Sequence, residues 1–149
     1  MDHEYWMRLA LSEARRAYAL GEVPVGCVIV REGDLLSSAH NEREANNDPL
    51  GHAEMLAISR ACAAVGNWRL TGCTLYVTLE PCLMCAGAIL NSRIPMVVFG
   101  ARDTAAGALG GVIDVFSEGF KPWPAVIGNV LADDCASILE EFFKNTRKK

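Results

Sequence analysis

Two short segments hold residues whose types and spacing suit metal chemistry: His52-Ala53-Glu54 and Pro81-Cys82-Leu83-Met84-Cys85. Cysteines three apart on a helix share a face, so both sulfurs can reach one ion. A helix start favours thiolate over thiol, because its free N–H groups stabilise negative charge. Thiolate and neutral imidazole are the donors zinc prefers. Cys82, Cys85 and His52 supply three ligands, while His3 and His40 stand isolated. A structural zinc needs four protein ligands; three leave a position for water, the mark of a catalytic site. Zinc lowers the pKa of that water to about 7, which makes hydroxide available at neutral pH. Glu54 lies two residues after His52, off the ligand's helical face, and is free to point into a pocket beside the ion. A carboxylate there can take a proton from the water and deliver it to a ring nitrogen and then to a leaving amine. The chemistry this implies is hydrolytic replacement of an amine on a heteroaromatic ring. A lone CxxC also suits redox work, but a thioredoxin-type motif needs no HxE upstream.

These segments need elements to hold them, and the pattern along the chain supplies candidates. Residues 3–20 read as a helix, with Trp6, Leu9, Ala10, Ala14 and Ala17 at helical spacing and Gly21 as the stop. Residues 25–30 and 35–39 read as a hairpin turning at Gly33-Asp34, followed by a polar loop over 41–51. A helix is expected from His52 to about Val65, a strand over 74–79, and a helix opening at Pro81 and running to about Asn91. Strands over 96–99 and 126–130 follow, with a Gly/Ala-rich stretch at 101–119 between them. The last helix starts near Asp133, with Cys135, Ile138, Leu139, Phe142 and Phe143 on one face. Helices alternating with strands predict an α/β fold, a three-layer α/β/α sandwich around one mixed five-stranded sheet. No linker or repeat divides residues 1–149, so a single domain is expected.

The chain carries a formal charge of −4 and 51% hydrophobic residues. That balance excludes disorder and a coiled coil, and it argues against a broad phosphate-binding surface. Charge is uneven, however: Lys144, Arg147, Lys148 and Lys149 form a basic tail that could touch phosphate. No apolar run approaches a membrane span, and the start MDHEYW is unlike a signal peptide, so a cytoplasmic protein with reduced thiols is expected. Cys27, Cys62, Cys73 and Cys135 then read as small core residues.

At the two motifs the chain resembles the zinc-dependent nucleoside and nucleobase deaminases, whose signature is H-x-E…P-C-x-x-C. Within them it is most similar to the bacterial tRNA-specific adenosine deaminases. The likeness runs through HEYWM at 3–7, EVPVG at 22–26, Asn41, Asp48-Pro49, LYVTLEPCLMCAGA at 75–88, SRI at 92–94, VVFGARD at 97–103 and 131–143. The resemblance implies a cytidine-deaminase-like fold, a homodimer, and conversion of the wobble adenosine of a tRNA anticodon to inosine. It implies one zinc on His52, Cys82 and Cys85, with Glu54 as the proton shuttle. Asn41 would hydrogen-bond the flipped nucleotide, Asp103 would sit near its ribose, and Pro81 would offer its carbonyl near the leaving amine. Phe143 and the basic tail would meet the anticodon stem-loop. By themselves, Asn41 reads as a turn residue, Asp103 as a turn or cap, and Phe143 as core. Glu80 tempts as a second acid, but its place between a strand and Pro81 favours a structural role. The chain departs from the family pattern at Leu50-Gly51 and in the Pro-rich 118–125 segment, both where RNA is expected to pass.

Two other functions fit parts of the sequence. A deaminase of free guanine or cytosine shares the zinc chemistry and suits an acidic surface. A non-catalytic, zinc-stabilised binding protein is disfavoured by the three-ligand count and the intact Glu54.

Overall fold

The computed structural model describes residues 2–147, so Lys148 and Lys149 of the basic tail lie outside the described residues. Helix α1 (His3–Ala19) starts at Asp2, whose carboxylate accepts from the Tyr5 N–H. Strands β1 (Gly26–Arg31) and β2 (Asp34–His40) form the expected hairpin. The turn lies one residue earlier than expected, at Glu32-Gly33, where both residues have positive φ (51° and 80°). Two such residues make the turn whose twist matches the flanking strands. Helix α2 (Ala53–Val65), strand β3 (Cys73–Leu79), helix α3 (Leu83–Asn91) and strand β4 (Met96–Ala101) follow. Strand β5 (Ala125–Ile127) is shorter than the 126–130 expectation, and α4 (Ala132–Arg147) closes the chain. The Gly/Ala-rich stretch forms tight turns and a short 3-10 turn at Val115–Ser117.

The sheet order is β2-β1-β3-β4-β5. β1 is antiparallel to both β2 and β3, whereas β3, β4 and β5 run parallel. This is the expected mixed five-stranded sheet of an α/β/α sandwich. Central β3 is buried on both faces, and its alternation divides two cores. Leu75 and Val77 join Cys27, Ile29, Val97 and Phe99 beneath α2 and α3. Tyr76 faces the other way with Val28 and Val98, under α1 and α4. Cys27, Cys73 and Cys135 are buried as expected; Cys62 is half-buried. Among the described residues, no helix is long and apolar enough to cross a membrane.

The parallel β3–β4 arrangement brings the chain off the C-terminal end of β3 directly into the Cys82–Cys85 turn. α3 then packs beside α2 over the same sheet face. Ile89, fully buried in α3, anchors that packing. Ile89→Ala is expected to lower unfolding free energy by about 2–5 kcal/mol in urea titrations, the usual cost of a large core truncation.

Candidate active site

His52 and Cys82 are the capping residues of α2 and α3, just before each helix rather than in its first turn. Both are extended (ψ 146° and 177°), and neither side chain caps its own helix. The imidazole and the thiol are therefore free for other partners. Pro81 does not open α3 as expected. The chain stays extended through Cys82, which pairs with Gly107, while the Pro81 carbonyl accepts from the Ala108 N–H at 2.9 Å.

His52 Nδ1 lies 3.7 Å from Cys82 Sγ and 3.5 Å from Cys85 Sγ. Tetrahedral zinc with Zn–S of about 2.3 Å and Zn–N of about 2.0–2.1 Å sets nitrogen and sulfur about 3.6 Å apart. The three donors, all within 4.8 Å of one another, fit one zinc ion. The Cys85 thiol donates to Cys82 and, with His52, lowers the Cys82 thiol to about 3. Cys85, keeping that proton, is raised. His52 is raised, first by its hydrogen bond to Cys82. Zinc replaces these protons with its own charge.

Glu54, in the first turn of α2, is buried and lines a cavity of about 600 Å³ that opens over the metal ligands. Burial pushes its carboxyl up to about 7, against the opposing pull of its own backbone N–H and of His52. Asn41 is buried at the end of β2, and its Oδ1 accepts from the Ala53 N–H at 2.8 Å. Asn41 thus caps the helix that His52 leaves uncapped, and its Nδ2 is the group left for a ligand. Asp103 lines the opposite wall. Its Oδ1 accepts from the Ala105 and Ala106 N–H groups at 2.9 and 3.1 Å, and Oδ2 is left over. Phe143 is not core: α4 sets it at the cavity mouth, 42% exposed, and Leu139 of the same helix packs inward. The sequence elements at 41, 52, 54, 82, 103 and 143 therefore converge on one cavity, with Cys85 beneath it.

Other features stand elsewhere or were missed. No residue of 118–125 lines this cavity among the described residues, and Leu50 is exposed. Trp68 and Trp123 are exposed away from it, Trp68 beneath the Arg69 guanidinium. Buried Glu22 accepts from the Glu44 and Ala45 N–H groups and pins the loop between Asn41 and His52. Arg43, also on that loop, lines the cavity. Nothing in the local sequence marks either residue except its place beside the motifs.

Three ligands around one ion position, a buried carboxylate beside them and an open cavity above define a zinc-dependent hydrolytic deaminase on this fold. Residues 1–101 match the cytidine and deoxycytidylate deaminase zinc-binding region, and the chain belongs to that family. It is 47% identical to a tRNA-specific adenosine deaminase of Bacillus subtilis, over 98% of this chain and 91% of that one. A solved structure from work on A-to-I editing by tRNA:A34 deaminases at the wobble position of transfer RNA superimposes with a TM-score of 0.88. It is 41% identical and covers 91% of this chain and 99% of its own. A guanine deaminase from Bacillus subtilis superimposes with a TM-score of 0.67, at 38% identity over 79% of this chain and 75% of that one.

Removing one donor leaves two, too few to retain the ion. Cys85→Ala is expected to purify with less than about a tenth of the zinc found in the unaltered chain, by elemental analysis.

Proposed function

We propose that this chain deaminates adenosine to inosine at the wobble position of a tRNA anticodon. The observation that carries the reading is the likeness to tRNA-specific adenosine deaminases along nearly the whole chain, 47% identical over 147 residues. His52, Cys82 and Cys85 hold the zinc. When bound, the ion acidifies water, which makes it a nucleophile at neutral pH. Glu54 takes a proton at its carboxylate from the attacking water and hands it to N1 of the adenine; it then takes the second proton from the hydroxyl now on C6 and gives it to the amino group, which leaves as ammonia. Asn41 donates from Nδ2 to an acceptor on the base. Asp103 accepts from the ribose, and the second lone pair of the Pro81 carbonyl receives the leaving amine. Phe143 and Lys144 of α4 meet the anticodon loop. The site residues act within one domain, in the cytoplasm where the tRNA is.

The 38% identity to a guanine deaminase supports a second reading, deamination of a free base. An anticodon stem-loop with adenosine at the wobble position, assayed beside free guanine and cytosine, separates the two. Inosine in the stem-loop and no ammonia from the bases is the expected result; the reverse sinks the tRNA reading. Glu54→Ala is expected to keep its zinc and lower kcat by on the order of 10²–10⁴.

A homodimer fits the same reading. Val112 and Ile113, 60% and 47% exposed, place apolar surface on the loop that follows the cavity wall, where a second copy would cover it. Sedimentation is expected to give twice the 16.1 kDa chain mass, falling to one chain mass in Val112→Glu/Ile113→Glu.

A further inference from the structure

Glu80 has no part in the chemistry above, yet its side chain is fully buried. Its Oε1 accepts from the Asp103 N–H at 3.0 Å and from Arg102 Nη1 at 3.3 Å. Its Oε2 accepts from the Leu109 and Gly111 N–H groups at 2.9 and 2.8 Å. Three of the four donors are backbone N–H groups of the 103–111 loop, which has no helix or strand to satisfy them. The loop is wound around a carboxylate. Glycine is required where it passes closest: a Cβ at 107 or 111 would collide with the Glu80 carboxylate and the Asp103 carbonyl.

The wound loop is also a wall of the cavity. Asp103, Thr104, Ala105 and Ala106 line it, and the Asp103 backbone hangs directly on Oε1. We infer that Glu80 is a positioning residue: it sets the cavity wall that carries Asp103, and through it the binding of the sugar portion of the substrate. The inference rests on reading the cavity as a nucleotide site, since an acceptor such as the Asp103 carboxylate suits sugar hydroxyls. The loop touches the metal side only through backbone, where Gly107 pairs with Cys82 and Ala108 with Pro81, and it carries neither Glu54 nor a metal ligand, so Glu80 governs substrate binding more than turnover.

Glu80→Gln tests this. Whichever way the amide turns, its NH2 faces two N–H donors, and either Arg102 and Asp103 or Leu109 and Gly111 lose their acceptor. The zinc-loaded full chain is assayed on the wobble-adenosine stem-loop, with urea unfolding and zinc content measured alongside. Zinc near one per chain, KM raised about tenfold and kcat within about threefold of the unaltered chain are expected. In an Asp103→Asn background, the same change is expected to raise KM by less than about threefold, because both act on one contact. Unchanged KM in folded Glu80→Gln overturns the inference. So does independent multiplication of the two KM effects, or a fall in zinc and kcat at constant KM, the mark of a structural prop. Should Glu80→Gln fail to fold, Gly111→Ala keeps the carboxylate and displaces the loop; it is expected to raise KM likewise, and an unchanged KM overturns the inference. Failure of the unaltered chain to deaminate the stem-loop overturns the proposed function and this inference with it. Activity there with normal Glu80→Gln kinetics overturns the inference alone.

Discussion

Everything at the site depends on two helices that begin side by side without using their own first side chains as caps. A helix start leaves four N–H groups unsatisfied, and a polar side chain at the capping position ordinarily takes one. His52 and Cys82 occupy those positions and decline the task. For α2 the bond comes from Asn41, across the loop that Glu22 holds. The two residues nearest the helix dipoles are therefore left as ligands, and the field at both helix starts favours thiolate at Cys82. The sheet order makes this possible, because β1 and β3 are neighbours and the connections from β2 and β3 rise to the same end.

The cavity is built from opposed electrostatic demands. Burial favours the neutral form of Glu54, and the same burial strengthens its interaction with His52. Glu80 meets burial in the opposite way, with four protein donors on its carboxylate. Two carboxylates in neighbouring walls are thus given different work by their partners. One lacks strong donors and is suited to carry a proton; the other is saturated and holds backbone.

Much of this was legible in sequence because it follows from short periods. Helical spacing in 3–20 and 133–143, alternation in 74–79 and the HxE…PCxxC pair gave the elements, the ligands and Glu54. What was illegible depends on contacts distant along the chain. Glu80 looked structural from its neighbours, and only the return of 103–111 reveals what it holds. Phe143 fell on the apolar stripe of its helix, but the stripe is wider than the core beneath it, so the outer ring reaches the cavity mouth. Pro81 suited a helix start by residue type, yet the pairing of Cys82 with Gly107 keeps the chain extended there.

The Asn41 cap ties two properties that enzymes usually alter separately. Its oxygen accepts from the start of the helix bearing His52, so the amide is held in one orientation at the cavity wall. Turning the amide over, so that its oxygen and NH2 exchange places, would uncap α2. Any redesign that reverses this amide therefore begins with a replacement cap for the helix, because one side chain serves both the cavity wall and the footing of His52.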